Sequence, residues 1–307
     1  MPPSAKILVI RGGAIGDFIL TLPVFAALRQ HFPGVHLEVL GYPHIARLAL
    51  LDHTVDAVKP IEARALAGFF ARNGVLDPDW SDYFSEFAVI ISYLYDPDEI
   101  FRSNMARCRA GGQFIAGPHR PGGSAQLHAT EVFLKPLECL AIFAPDPIPR
   151  IKLASALSSP PSPGQVAIHP GSGSEKKNWP EPRWLELCRL MIDQTSLDLL
   201  LVGGEAEGER LYRLASELPP ERVTIAQSLP LPELARVLVD CASFIGHDSG
   251  ISHLAAALGL EALLLWADTP VAIWRPLNPE VVICQHPAGL ADLPALKVFE
   301  LWSEWTR

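Results

Sequence analysis

The chain has 307 residues, 49 % of them hydrophobic, and a formal net charge of −9. That is enough apolar material for two domains of ordinary size, and the acidic balance argues against a nucleic-acid binder, which carries a basic footprint. Five scattered cysteines (Cys108, Cys139, Cys188, Cys241 and Cys284) contain no C-x-x-C pair, which speaks against structural zinc and for a reducing compartment. Only four apolar residues separate Lys6 from Arg11, too few for a signal-peptide core. Nowhere do roughly 18 uncharged apolar residues run together, so the expectation is a cytoplasmic protein with no transmembrane segment, resting at most on the inner face of a membrane.

In chain order, residues 6–10 (K-I-L-V-I) read as a strand buried on both faces of a parallel sheet. R-G-G-A-I-G-D follows, and Gly12, Gly13 and Gly16 let the backbone turn sharply and approach a ligand. Pro23 is tolerable only near a helix start, which predicts a short turn at 15–20 and a main helix over about 22–30. Further strands are expected at 36–40, 55–59, 88–93 and 114–116, with helices at 63–73 and 129–141. This alternation predicts an α/β fold with a doubly wound parallel sheet. Residues 154–164, rich in serine and proline, break the pattern and mark a domain boundary.

The pattern then restarts. Strands are expected at 165–168, 197–202, 223–225, 242–245, 263–266 and 281–284, with helices at 183–194, 207–218 and 232–240. A last helix over 292–307 carries Phe299, Trp302 and Trp305, an aromatic stripe read as packing. The resulting organisation is a domain over 1–156, a second over 157–291, and the terminal helix.

Five groups of residues are candidates for chemistry. H-D-S-G-I-S-H-L-A-A-A-L (247–258) passes from a strand end through a polar turn into an alanine-rich helix. There the N–H groups of Ser249, Gly250 and Ile251 are expected to be unpaired at a helix start, which accepts phosphate readily, while Asp248 or Ser249 caps the helix. Lys177 lies in a loop with Gly171, Ser172, Gly173 and Ser174, a plausible phosphate contact, with Trp179-Pro180 as its anchor and Lys176 solvated. Asp17, at a strand's carboxyl end, is a general base, a helix cap, or both. Asp77-Pro78-Asp79 and Asp96-Pro97-Asp98 have a D-x-D spacing that can hold a divalent metal, but Asp-Pro is also common turn chemistry. Arg102, Arg107, Arg109, His119 and Arg120 form a local basic cluster suited to an anionic substrate. There is no H-E-x-x-H or G-x-S-x-G, and His247 and His253 are six apart, which does not put both on one helix face.

Taken together, I-L-V-I-R-G-G-A-I-G-D-F-I-L-T-L-P, H-P-G-S with K-N-W-P, L-L-V-G-G-E-A-E-G-E-R and I-G-H-D-S-G-I-S-H-L-A-A-A-L-G resemble, in order over about residues 6–266, the heptosyltransferase family, glycosyltransferase family 9. The resemblance implies a GT-B fold of two Rossmann-like domains facing a cleft, the acceptor bound by the first and the donor nucleotide by the second, with the last helix crossing back. It implies an inverting, metal-independent glycosyltransferase with no cofactor. The donor would be a nucleotide sugar, ADP-heptose, and the acceptor an anionic glycolipid of the lipopolysaccharide core at the inner membrane surface. The family's base falls on Asp17 and its phosphate-binding lysine on Lys177. Its diphosphate turn falls on Asp248, Ser249 and Gly250 with His253, and its ribose glutamate on Glu207, or Glu205 with another gap placement. Ser172 joins the donor set, and Arg102 and Arg120 are the candidate acceptor contacts. His247 departs from the family's usual small residue or asparagine, and the serine-rich loop after His169 departs from its frequent threonine. Two rival classes are an NAD-type oxidoreductase or epimerase, which needs an acidic residue at the second strand end, and a non-catalytic two-lobed binding protein.

Overall fold

The computed structural model describes residues 5–108, 111–122, 127–153 and 164–305. The chain divides into two units, Met1–Pro147 and Ile148–Arg307. The expected boundary at 154–164 lies almost wholly outside the described residues. The second unit begins earlier than 157 because Ile151 is already docked on it: its N–H donates to Ala257 O at 2.8 Å and its side chain is buried.

In the first unit, β1 (Lys6–Arg11), β2 (His36–Gly41), β3 (Ala57–Pro60), β4 (Val89–Ser92) and β5 (Gln113–Ala116) form one parallel sheet in the order β3-β2-β1-β4-β5. The uninterrupted apolar run of β1 is buried because this strand is central and covered on both faces. The connecting helices are α1 (Ile15–Ile19), α2 (Leu22–His31), α3 (Pro43–Ala46), α4 (Pro78–Ser85), α5 (Ile100–Cys108) and α6 (Ala129–Leu134). Pro23 sits in the first turn of α2, where its missing N–H costs nothing.

Several elements differ from expectation. The helix expected over 63–73 is a 3₁₀ stretch, Arg64–Phe70. Asn104 Nδ2 lies 3.3, 3.0 and 2.8 Å from the carbonyls of Gly68, Phe69 and Ala71, so these acceptors are turned to a side chain instead of to a helical ladder. The helix expected over 129–141 shortens to α6 and continues as 3₁₀ over Lys135–Leu140, where Pro136 supplies no N–H. Helices α4 and α5 were not anticipated, and both start at the Asp-Pro-Asp turns. Asp77 Oδ1 accepts from Trp80 N–H, and the two oxygens of Asp96 accept from Phe101 and Arg102 N–H at 3.1 and 3.0 Å. Both leading aspartates are therefore helix caps. A cluster of Phe69, Phe84, Phe87 and Phe101 then packs these helices under Leu8, Ile10 and Ile90.

The second unit carries β6 (Gln165–His169), β7 (Asp198–Gly203), β8 (Val223–Gln227), β9 (Ser243–His247), β10 (Glu261–Leu265) and β11 (Val281–Cys284). They are parallel in the order β11-β10-β9-β6-β7-β8, the dinucleotide-fold order when read from β8. Its helices are α7 (Glu181–Gln194), α8 (Arg210–Ser216), α9 (Leu231–Leu238), α10 (Gly250–Ala257), α11 (Val271–Trp274) and α12 (Ala295–Trp305). The helix expected to return to the first domain, α12, lies in the second unit against α7 and the sheet. Trp302 is buried there and donates its Nε1–H to Ser243 Oγ at 2.9 Å, and Phe299 packs on the same core, so these two residues of the aromatic stripe are packing. Among the described residues no helix is long and apolar enough to cross a membrane.

Each sheet has one switch point, where the chain changes the direction in which it adds strands. In the first unit it lies between β1 and β4, in the second between β6 and β9. Loops leaving the carboxyl ends of such a pair diverge and open a crevice for ligands.

Candidate active site

In the second unit the two switch-point loops meet. Lys177, in the loop after β6, places Nζ 2.6 Å from Oδ2 of Asp248, the residue that follows β9. The Lys177 side chain is 36 % exposed and that of Asp248 only 10 %, so the pair sits at a rim with the carboxylate on the inside. Ser249 caps α10, its Oγ accepting from Ser252 N–H at 3.2 Å. Among the described residues the N–H groups of Ser249, Gly250 and Ile251 donate to no protein group. Three amides and a helix start are therefore available to an anion beside an ammonium group.

His247 holds this arrangement together. Trp179 N–H donates to its Nε2 at 2.8 Å, which puts the proton on Nδ1, 3.1 Å from Gly171 O. One neutral ring thus pins both ends of the loop that carries Ser172 and Lys177. Trp179, as expected of the anchor, is buried, and its indole N–H donates to Leu293 O at 3.0 Å. Arg210 adds a clamp from α8, pairing with Glu175 at 3.1 Å. Ser172 Oγ lies 2.7 Å from Asn178 Oδ1 and 2.9 Å from Ser174 O, so its hydroxyl is engaged in shaping the loop.

Behind the turn, His169 Nδ1 is 3.4 Å from Ser249 Oγ and Nε2 is 3.9 Å from Glu207 Oε1. Burial pushes His169 down to about 4 and, as the largest cause, His247 down to about 3. Both rings are neutral in the fold and take up protons in the unfolded chain below pH about 6.5. The unfolded state then binds more protons, so stability falls as pH drops from about 6.5 toward the folded values. A melting curve should move to lower temperature across that window, and His247→Asn should flatten the dependence. An unchanged slope in the variant would contradict this.

Glu207 is buried, and its Oε2 accepts from Gly204 N–H at 2.6 Å. Gly171 has no Cβ because that space is filled by the Glu207 carboxylate. The glutamate thus supports the loop, while Glu205 in the same turn is exposed. His253 is buried in the first turn of α10.

In the first unit Asp17 lies on α1, directly after β1. Its Oδ2 accepts from Ala14 N–H at 3.2 Å, so it closes the helix start as a cap, yet its side chain remains 29 % exposed. Gly13 has φ 99°, and a Cβ there would crowd the Asp17 carboxylate, so of the three loop glycines it is the one the backbone demands. Arg11, at the buried end of β1, was not singled out from sequence. Its guanidinium donates to His119 O at 2.9 Å and Asp17 O at 3.1 Å, reaches Asp17 Oδ1 at 3.7 Å, and lies 4.4 Å from the Phe133 ring centroid. A charged residue ending an otherwise apolar central strand was the available signal.

The basic cluster separates. Arg107 bonds Gly74 O and Asn104, Arg102 pairs with Glu99 on the surface, and Arg109 lies outside the described residues. His119 is within electrostatic reach of Arg120, Arg11 and Asp17. An NAD reading lacks its acid: β2 ends at Gly41 with Tyr42 after it, and Glu38 within the strand is buried and takes the Tyr83 hydroxyl at 2.7 Å.

Comparison with known proteins agrees with this fold. The family model for glycosyltransferase family 9 (heptosyltransferase) matches residues 151–302. The lipopolysaccharide heptosyltransferase 1 of Salmonella typhimurium is 33 % identical over 326 residues, covering 96 % of this chain and 98 % of that protein. The lipopolysaccharide heptosyltransferase 1 of Pseudomonas aeruginosa is 26 % identical, covering 86 % and 79 %. Among solved structures, E. coli heptosyltransferase WaaC with ADP has a TM-score of 0.77 at 21 % identity, covering 98 % of this chain and 99 % of that one. E. coli ADP-heptose lps heptosyltransferase II has 0.76 at 16 %, covering 98 % of each. Fold and site together define a GT-B glycosyltransferase built from two Rossmann-like units. The chain belongs to the heptosyltransferase family, glycosyltransferase family 9.

Proposed function

We propose that the protein is an inverting, metal-independent heptosyltransferase that moves heptose from ADP-heptose to a lipopolysaccharide-core acceptor at the inner membrane surface. One observation carries the reading: the ammonium of Lys177 stands 2.6 Å from Asp248 beside the unpaired amides at the start of α10. The acceptor oxygen bonds to the anomeric carbon as the bond from that carbon to the diphosphate breaks. The electron pair leaves on the diphosphate, and ADP departs. Amides and an ammonium aimed at that developing charge stabilise the transition state without a metal. Lys177 has three donor protons and serves Asp248 and a phosphate oxygen together. Asp17 accepts the acceptor's hydroxyl proton. A single displacement inverts the anomeric centre. The names of solved relatives support the donor, since one is an E. coli heptosyltransferase with ADP-2-deoxy-2-fluoro heptose.

The test is transfer from ADP-heptose to lipopolysaccharide from a heptose-deficient strain, with UDP-glucose and NAD as comparators. Heptosylated product and ADP in equal amounts are expected. Turnover of UDP-glucose or reduction of NAD in place of heptose transfer would overturn the reading. Activity should also survive excess EDTA unchanged, and a loss restored by a divalent cation would remove the metal-independent mechanism.

A further inference from the structure

The first unit's switch point lies between β1 and β4, and the loop after β4 has so far been given only the cap of α5. The two loops run close together, since a Cβ added at Gly12 would lie 3.9 Å from Leu94 Cδ2. The next residue, Tyr95, is 71 % exposed. Its ring centroid lies 4.6 Å from that of His119, with the planes tilted by 60°. His119 is the residue whose carbonyl receives Arg11, and the same guanidinium holds the backbone carbonyl of Asp17. Burial, with Arg120 and Arg11 next, holds His119 below its ordinary value, while Asp17 acts in the opposite sense. Tyr95, His119, Arg120 and Asp17 therefore belong to one constellation at the carboxyl edge of the sheet. Tyrosine, with an apolar face and a polar rim, suits a ligand that is itself amphipathic, and carbohydrate-binding sites pair such faces with a few fixed polar groups.

We propose that Tyr95, backed by His119, is the platform on which the acceptor's sugar ring lies, with Arg120 beside it for the acceptor's anionic group and Asp17 for its hydroxyl proton. The inference rests on the glycosyltransferase reading and names the acceptor as a charged saccharide bound through its ring face. A tyrosine held out of the core is the feature that sets this loop apart. Its ring lies beside the His119 imidazole and is otherwise largely exposed, so it offers a ring surface to a ligand.

The experiment compares wild type, Tyr95→Ala and Tyr95→Phe, with ADP-heptose as donor and heptose-deficient lipopolysaccharide as acceptor. Tyr95→Ala should raise the acceptor KM by about tenfold, the equivalent of one aromatic contact. Donor KM and ADP affinity should not move, and Tyr95→Phe should keep the acceptor KM within about twofold because the ring face is retained. An unchanged acceptor KM in Tyr95→Ala, or Tyr95→Phe as impaired as Tyr95→Ala, would overturn the platform. A parallel measurement of equilibrium binding of the same lipopolysaccharide to the three proteins keeps the two readings apart. Binding weakened only in Tyr95→Ala supports the platform even where no heptose is transferred, and equal binding by all three removes it.

Discussion

Asp17→Asn is expected to bind ADP as the wild type does and to lose turnover by about 100- to 10,000-fold, the usual worth of a positioned proton acceptor. The substitution is close to isosteric, and an asparagine Oδ1 can still accept the Ala14 N–H that Oδ2 of Asp17 accepts at 3.2 Å. The helix start therefore survives, and the melting temperature should move little. Arg11 keeps its bonds to His119 O and Asp17 O, which do not depend on the carboxylate. What disappears is the one anionic oxygen able to take a proton. The loss should fall on kcat, with donor KM unchanged, because ground-state binding to the other unit is untouched. Steady-state kinetics with isothermal titration of ADP separates the two quantities. Retained turnover in Asp17→Asn would leave Asp17 as a cap alone.

The position of Asp17 after a glycine loop was legible, and so was its cap, because a carboxylate three residues into a helix can reach back to a backbone N–H whatever else it does. The sheets were legible for a similar reason: K-I-L-V-I and L-L-L-V are apolar on both faces, which only a central parallel strand explains. Helices α4 and α5 were hidden because their first turns begin in Asp-Pro-Asp, a pattern shared by caps, turns and metal loops. The choice among these depends on where the following N–H groups point, and both Asp96 oxygens turn out to be occupied by them. The 3₁₀ stretch at Arg64–Phe70 was illegible because Asn104, which determines it, is more than thirty residues away. His247 was visible only as a departure from the family pattern. Its function as a bolt between Gly171 O and Trp179 N–H required two segments of chain to be seen side by side.

Lys177→Ala should weaken ADP by about 10- to 100-fold, the cost of losing a charge-assisted bond while leaving a buried partner alone. Two distinct effects contribute. The ammonium no longer reaches a phosphate oxygen, and the Asp248 carboxylate, only 10 % exposed, faces the incoming diphosphate with no counter-charge. The second effect is repulsive and short-ranged, since Asp248 directly precedes the amides that would receive the anion. A double-mutant cycle separates them. In Lys177→Ala with Asp248→Asn the repulsion is gone, so a lysine that acts only by neutralising Asp248 predicts full recovery of ADP affinity. A lysine that touches the phosphate predicts partial recovery, with a remaining deficit of about tenfold that stays salt-dependent. The Ser249–Ile251 amides are backbone groups and persist in every variant, so some ADP binding should survive in all of them. Unaltered ADP affinity in the single Lys177→Ala variant would move the diphosphate away from this turn, and the metal-free stabilisation of the leaving group would fall with it.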